Sequence, residues 1–338
     1  MTFFSLFLAK YNIHFQIYNL KMSSTITVRY WGGLGNVLFE IAAAIVYAVK
    51  HNRKFIFEHY PSLPNLDNYS PESVGISNKQ FADSLKEFSE EEIEKNIPFP
   101  ENQNIKLTGF YQKYKLFDSM KAQIFEIMGF PAIRSTVLQK ITGPEFCERG
   151  LFSRHCQVTS SENHSDLPGK NTVSLHIRRG DYEGLKCYFL LLNKYYYKNA
   201  LLQIAEKLDT SVPINILCFY ETKSKVSASG VIDALKEDPD LKHLPFEYHH
   251  FNDIINTPVT DIEEMAIMSH CDHHIIANST YSWWAAYINT CPDKIVCYPD
   301  QFYNHQLYYL SIKGMQVDVW TSIPAWDPNE YRCDCYRK

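Results

Sequence analysis

The chain has 338 residues, length enough for two domains of ordinary size. With 45% hydrophobic and 21% charged residues it reads as a folded, soluble globule, and a net charge of -5 excludes a general nucleic-acid binder, whose phosphate partner demands a basic surface. Nine cysteines without a C-x-x-C pair exclude a zinc ribbon or a thioredoxin-like motif and fit a reducing compartment better than a disulfide framework.

Residues 1–23 read as a tail. The clean apolar run, 3–9, is far short of the roughly 20 residues a membrane span requires, and Lys10, Asn12, His14, Gln16 and Asn19 interrupt the chain beyond it. Met22 opens a cleaner start, so the segment before it is expected to be a mis-assigned start or a floppy tail. Membrane association is not expected, and the location expected is cytoplasmic. The alternative is an anchor at the secretory membrane.

Residues 25–31 predict a strand, Gly32, Gly33 and Gly35 a turn, 37–49 a buried helix, and 54–57 a second strand. Proline-rich 61–77 predicts a loop, and 80–95 an acidic helical stretch. The polar stretch 149–170 is taken as the domain boundary, between an α/β domain at 24–160 and a second at 170–320, with a C-terminal tail at 321–338. Beyond it strands are predicted at 173–177, 214–220, 246–250, 274–277 and 295–298. Helices are predicted at 195–208, 226–236, 261–269 and 283–289. This alternation means a parallel sheet covered on both faces, which takes ligands at the carboxyl ends of its strands.

Four segments carry candidate chemistry. The first, His176-Ile177-Arg178-Arg179-Gly180-Asp181-Tyr182, comes directly after an apolar strand. Two arginines there need anionic partners, and a guanidinium matches a diphosphate with paired hydrogen bonds. The competing reading is an Arg179–Asp181 ion pair that braces the turn. The second segment, Asn278-Ser279-Thr280-Tyr281-Ser282-Trp283-Trp284, runs from a strand into a helix, where hydroxyls and free N–H groups either receive phosphate or simply cap the helix. The third, Gly32-Gly33-Leu34-Gly35-Asn36, lacks the glycine at Leu38 that a dinucleotide fingerprint requires. It supplies a tight turn in which Asn36 either caps the helix or faces a ligand. The fourth holds Glu264, a carboxylate able to accept from the N1 and N2 hydrogens of guanine, or an ordinary helix carboxylate. Adjacent histidines His249, His250, His273 and His274 lack metal-ligand spacing, and no metal or cofactor is expected.

Taken in order, these segments, with Gly109-Phe110-Tyr111-Gln112-Lys113-Tyr114 and Tyr195-Tyr196-Tyr197, resemble glycosyltransferase family 11, the α-1,2-fucosyltransferases. The resemblance covers roughly residues 25–300. It implies a GT-B-like fold of two Rossmann-type α/β domains with a cleft between them, the nucleotide in the second. It implies inverting, metal-independent transfer of L-fucose from GDP-β-L-fucose to a sugar hydroxyl, the 2-OH of galactose, with GDP-L-fucose and a galactose-terminated glycan as partners. By similarity to α-1,6- and protein-O-fucosyltransferases, Arg178 and Arg179 would hold the diphosphate. His176 would lie against guanosine, Glu264 would take the place of a guanine-binding aspartate, and Asn278, Ser279, Thr280 and Ser282 would line the phosphates. Asp181, or alternatively Glu183, is the expected base, and Asn36 and Tyr111 are expected on the acceptor side. The chain departs from the family at Val37-Leu38, where Gln-Met or Gln-Leu is common. It departs again at Cys218-Phe219-Tyr220-Glu221-Thr222, where a Ser-Asp or Ser-Asn pair is usual. The other function classes are a catalytically inactive nucleotide-sugar binder and a lectin-like glycan binder. The arginine pair argues against the lectin, because neutral glycans offer two guanidinia no anion.

Overall fold

The computed structural model describes residues 24–74, 77–156, 171–304, 306–307 and 310–327. The N-terminal tail, most of the C-terminal tail and the stretch 157–170 lie outside the described residues. The chain divides into two compact units. One holds the chain up to Gly32 and Asn36–Met128; the other holds Gly33–Gly35 and the chain from Gly129 onward.

In the first unit four strands form a sheet in the order β2-β1-β4-β3, every pair parallel: β1 (Thr25–Val28), β2 (Lys54–Phe55), β3 (Leu85–Ser89) and β4 (Asn104–Thr108). Strand β1 is central and buried throughout, as parallel strands with covered faces are. Helix α1 (Leu34–Lys50) comes next, with Val37, Leu38, Ile41, Ala42, Ala44, Ile45 and Ala48 buried. Gly32, at φ +82, turns the chain so tightly that α1 begins at Leu34, inside the glycine motif. Helix α2 (Lys121–Met128) ends the unit.

The reading of 80–95 as helical holds at Asn78–Asp83 and at the acidic Glu90–Glu94, and strand β3 corrects it between them. Its Leu-Lys-Glu-Phe-Ser sequence pairs with β4 as an edge strand that buries Phe88 and exposes Lys86 and Glu87. Charges that suggest a solvated helix serve equally well to protect a sheet edge.

In the second unit six strands run in the order β10-β9-β8-β5-β6-β7, again with every pair parallel. They are β5 (Thr172–His176), β6 (Ile214–Phe219), β7 (Phe246–His250), β8 (His273–Ile275), β9 (Val296–Pro299) and β10 (Thr321–Ile323). Strand β10 falls where the sequence reads as tail. The helices are α3 (Phe130–Ile141), α4 (Lys194–Ala205), α5 (Lys225–Lys236), α6 (Asp261–Met268) and α7 (Thr280–Ile288). Helix α3 explains why the units divide at Gly129 and not within 149–170. Phe130 stacks near Trp284 at 6.4 Å, Lys140 pairs with Glu263 at 2.8 Å, and Arg134 donates to the Ile288 carbonyl at 3.2 Å. Both tryptophans of the second motif are core: Trp283 and Trp284 are 1% and 0% exposed, and Trp283 Nε1 donates to the Met315 carbonyl at 2.7 Å.

Among the described cysteines, Cys187, Cys218, Cys271, Cys291 and Cys297 are free thiols. Cys147 is disulfide-bonded, a departure from a wholly reduced set. No helix among the described residues is long and apolar enough to cross a membrane.

Candidate active site

The chain of the second unit runs outward from β5 through β6 to β7, then returns to the other side of β5 for β8, β9 and β10. The strand order therefore reverses between β5 and β8, the switch point outside whose carboxyl ends open α/β sheets bind ligands. The residues leaving β5 are Ile177, Arg178 and Arg179. Those leaving β8 are Asn278 and Ser279, at the start of α7.

Arg178 is held at this edge by two carboxylates. One guanidinium nitrogen donates to Glu221 Oε1 at 2.7 Å and the other to Asp181 Oδ1 at 2.5 Å, while the guanidinium lies 5.1 Å from the Tyr182 ring centre. Its Nε is buried and meets no hydrogen-bond partner among the described residues. Glu221 lies two residues beyond the end of β6. The β5–β6 register sets His176 opposite Phe219, so two residues further on Arg178 stands level with Glu221. Glu221 also accepts from Lys223 at 2.8 Å.

Asp181 thus pairs with Arg178, which corrects the expected Arg179–Asp181 pair. Arg179 is 7% exposed and turned inward. Its Nε donates to Ser227 Oγ at 3.1 Å, and its terminal nitrogens donate to the carbonyls of Leu192 at 2.9 Å and Arg178 at 3.4 Å. Those bonds fasten the β5 exit to the chain before α4 and to α5. Gly180 lies between the two arginines and Asp181 at φ +57, and a Cβ there would meet the Glu221 carboxylate at 2.7 Å. Glu183 is exposed, and its carboxylate makes no ion pair among the described residues.

His176, 6% exposed, has a ring 5.8 Å from that of Tyr281 in the first turn of α7, and its Nδ1 lacks a partner among the described residues. Burial, reinforced by the Arg178 charge, pushes its pKa down to about 3, so the imidazole is neutral at physiological pH. Glu264, on α6, is half-buried. Burial, with the charges of Asp261 and Glu221 added, raises its pKa to about 7, while a hydrogen bond from Tyr281 opposes the rise.

The second motif divides by role. Ser279 caps α7, accepting from Tyr281 N at 3.3 Å. Ser282 is fully buried, accepting from Ala277 N at 3.2 Å, and Asn278 donates to the carbonyls of Leu190 and Phe302 at 2.8 and 2.9 Å. These contacts make Ser282 and Asn278 bracing residues of the α7 entry. Thr280 is the half-buried first residue of the helix. Gly35 belongs to this unit too: a Cβ there would fall 2.5 Å from the Thr280 carbonyl carbon and Tyr281 N.

In the first unit Asn36 Oδ1 accepts from Gln112 Nε2 at 3.1 Å. Tyr111, expected at the acceptor, is 1% exposed. Its ring packs 6.2 Å from Tyr47, and its N–H donates to Glu90 Oε2 at 3.0 Å. The ring belongs to the core, so its neighbour Phe110 is the one that faces out, 41% exposed. The sequence reading also missed Glu40. This fully buried α1 carboxyl accepts from Trp31 N at 3.0 Å and is raised to about 8 by burial. The histidines are structural: His274 meets Ser174 Oγ at 2.7 Å and Asn289 at 2.7 Å, and His250 meets the Tyr220 hydroxyl at 2.6 Å.

Comparison with known proteins agrees with the sequence motifs. Residues 241–313 match the family model Glycosyl transferase family 11. The chain is 32% identical over 139 residues to the O-antigen biosynthesis glycosyltransferase WbnK of Escherichia coli, a match spanning 39% of this chain and 39% of that protein. It is 23% identical over 315 residues to an alpha-1,2-colitosyltransferase of Escherichia coli, covering 84% of this chain and 94% of the relative. Among solved structures, FUT1 of Arabidopsis thaliana in complex with GDP aligns at 12% identity and a TM-score of 0.40, over 85% of this chain and 74% of that one. The family that the motifs resemble and the family whose model matches residues 241–313 are the same, and the comparisons support a glycosyltransferase.

Proposed function

We propose that the protein is an inverting fucosyltransferase that moves L-fucose from GDP-β-L-fucose to the 2-OH of a galactose-terminated glycan. The observation that carries this reading is Arg178 at the β5–β8 switch point, held on two sides by carboxylates with a buried Nε still unpartnered. A diphosphate would take the guanidinium in a paired hydrogen-bond geometry. Neutral His176 and Glu264 then face the nucleoside, and the start of α7 with Ser279 and Thr280 completes the anion site.

In the reaction the acceptor hydroxyl oxygen attacks the anomeric carbon from the face opposite GDP. The carbon–oxygen bond to the β-phosphate breaks, and its electron pair leaves on that phosphate. Charge grows there in the transition state, so a fixed arginine stabilises it more than the ground state, and the residues need no metal for the purpose. The proton of the acceptor goes to a carboxylate or to the departing phosphate. Because the Asp181 carboxylate is engaged with Arg178, Glu183 is the base of choice on this loop, and Asp181 is a positioning residue.

A second reading concerns the donor alone: the colitosyltransferase relative, similar over 84% of this chain, makes a colitose donor the competitor of fucose. Incubation with GDP-fucose, and in parallel with GDP-colitose, and a panel of galactosides, with and without excess EDTA, tests the proposal. Transfer undiminished by the chelator is expected. Activity restored only by added metal, or transfer of colitose in place of fucose, would overturn the corresponding part.

A further inference from the structure

The carboxyl edge of the first sheet carries aromatic side chains on three adjacent strands. Tyr60 lies beyond β2, Tyr30 and Trp31 beyond β1, and Phe110 beyond β4. Tyr30 and Tyr60 meet edge to face at 5.1 Å, and Trp31 and Phe110 lie 6.0 Å apart. Even with Phe110 beside it and the Arg29 guanidinium 5.0 Å from its ring centre, Trp31 remains 54% exposed. Other large aromatics of the unit, such as Phe39, Phe57, Phe81 and Phe117, are buried to within 2%. An exposed tryptophan beside an exposed phenylalanine is therefore out of keeping with the rest of the unit.

Both rings stand on loops pinned from behind by carboxylates. Trp31 N–H is held by Glu40 Oε2, and Tyr111 N–H by Glu90 Oε2, each at 3.0 Å. The second loop is also strained: Tyr111 takes φ +50, which a bulky side chain rarely adopts, after Gly109 at φ +146. Lys113 fastens the same loop by ion pairs to Glu90 and Glu94. A conformation so held, with Tyr111 buried, is what turns Phe110 outward, and strain of this kind gathers at functional sites.

We propose that Trp31 and Phe110 form the acceptor subsite, stacking the apolar face of the acceptor's galactose ring. This rests on the glycosyltransferase reading above and names the substrate surface it needs. Galactose suits the rings because its axial 4-hydroxyl leaves one face of the sugar as a continuous patch of C–H groups. Such a patch packs on aromatic rings while the hydroxyls stay at the rim. The carboxyl edge of a parallel sheet is also where that sheet offers its loops to ligands. Glu40 and Glu90 are positioning residues for the two rings.

The test compares the wild-type chain with Trp31→Ala, Phe110→Ala and Trp31→Phe. Each is assayed for acceptor-free hydrolysis of GDP-fucose and for transfer to lactose. The alanine variants are expected to raise KM for lactose about 10- to 30-fold, as loss of an aromatic anchor does. Donor KM and hydrolysis should not change, and Trp31→Phe should stay near wild type. Lactose titration without donor should also change the tryptophan fluorescence of the wild type and not of Trp31→Phe. Unchanged KM in both alanine variants overturns the subsite. Hydrolysis by the wild type with no transfer to lactose overturns galactose as its occupant. A wild type that neither hydrolyses nor transfers overturns the activity reading instead.

Discussion

The two sheets share a plan and differ in what they carry at the same edge. In each, a buried parallel strand flanked on both sides delivers a loop to the carboxyl rim, β1 in the first unit and β5 in the second. At the β5 edge the side chains are charged and mutually engaged: Arg178 between Glu221 and Asp181, with His176 and Glu264 about α7. At the β1 edge they are aromatic and open, Trp31 and Phe110 foremost, and the carboxylates hold backbone from behind. The difference teaches that the scaffold fixes where a ligand goes and the loops fix its chemistry. A diphosphate needs fixed donors whose charge is compensated until it arrives; a sugar ring needs a flat apolar surface and little charge.

Removing the fixed donor should separate the edges most sharply. Arg178→Lys keeps the charge and loses the paired geometry, and turnover should fall about 100- to 1,000-fold with the thermal unfolding midpoint preserved. Steady-state kinetics beside a melting curve would check it. A folded variant with wild-type turnover would remove Arg178 from the reaction and leave the β5 edge without its distinction.

A smaller effect is expected at Glu264. Its carboxyl, raised to about 7, is neutral below that pH and then cannot accept both guanine N–H groups. GDP affinity should therefore weaken as pH falls from 8 to 6. Glu264→Gln should weaken it about 10- to 100-fold and flatten the dependence, as loss of hydrogen bonds to a charged group does. Calorimetric titration at three pH values is the measurement. Stability moves the other way. The folded protein holds this proton more tightly than the unfolded chain, whose carboxyl titrates near 4.5, so the contribution is full below that value and lost as pH rises through about 7.

The smallest effect is at Gly180. Alanine there meets a left-handed backbone and the Glu221 carboxylate at 2.7 Å, and should cost about 1 kcal/mol or more in unfolding free energy. Displacing Glu221 would loosen Arg178, so turnover should fall more than donor affinity. Chemical denaturation with parallel kinetics would detect both, and an inert substitution would show that the Glu221–Arg178 pair is dispensable.

Much of this arrangement was legible in the residues. The second sheet announces itself through apolar strands between amphipathic helices, and the 246–250 strand falls on the residues expected. Strand β3 was hidden because an edge strand and a solvated helix face wear the same charges. The break at Gly129 was hidden because α3 belongs to the second unit through contacts with residues 123 and 154 positions away, which no local pattern encodes. At the site, Arg178 was readable as an anion group, but its partner was not. Sequence proximity suggested Arg179 for Asp181, whereas the chain turns at Gly180 and delivers Asp181 to Arg178. Glu221, forty-three positions on, becomes visible only through the β5–β6 register. Trp31 and Phe110 gave no periodic signal, since a single outward ring on a loop resembles any loop residue.

The strand order also has a consequence for synthesis. Strand β5 leaves the ribosome first of its sheet yet ends in the middle of it, and one of its two neighbours, β8, lies a hundred residues later, with Leu175 opposite Ile275. Until the chain has grown that far, one flank of an apolar strand waits without a partner, its backbone groups open to other chains. Pairings over such separations are slow to form and exposed to aggregation. The switch point is therefore also the last seam of the sheet's centre to close, and the β8–α7 side of that edge is missing until α7 has emerged.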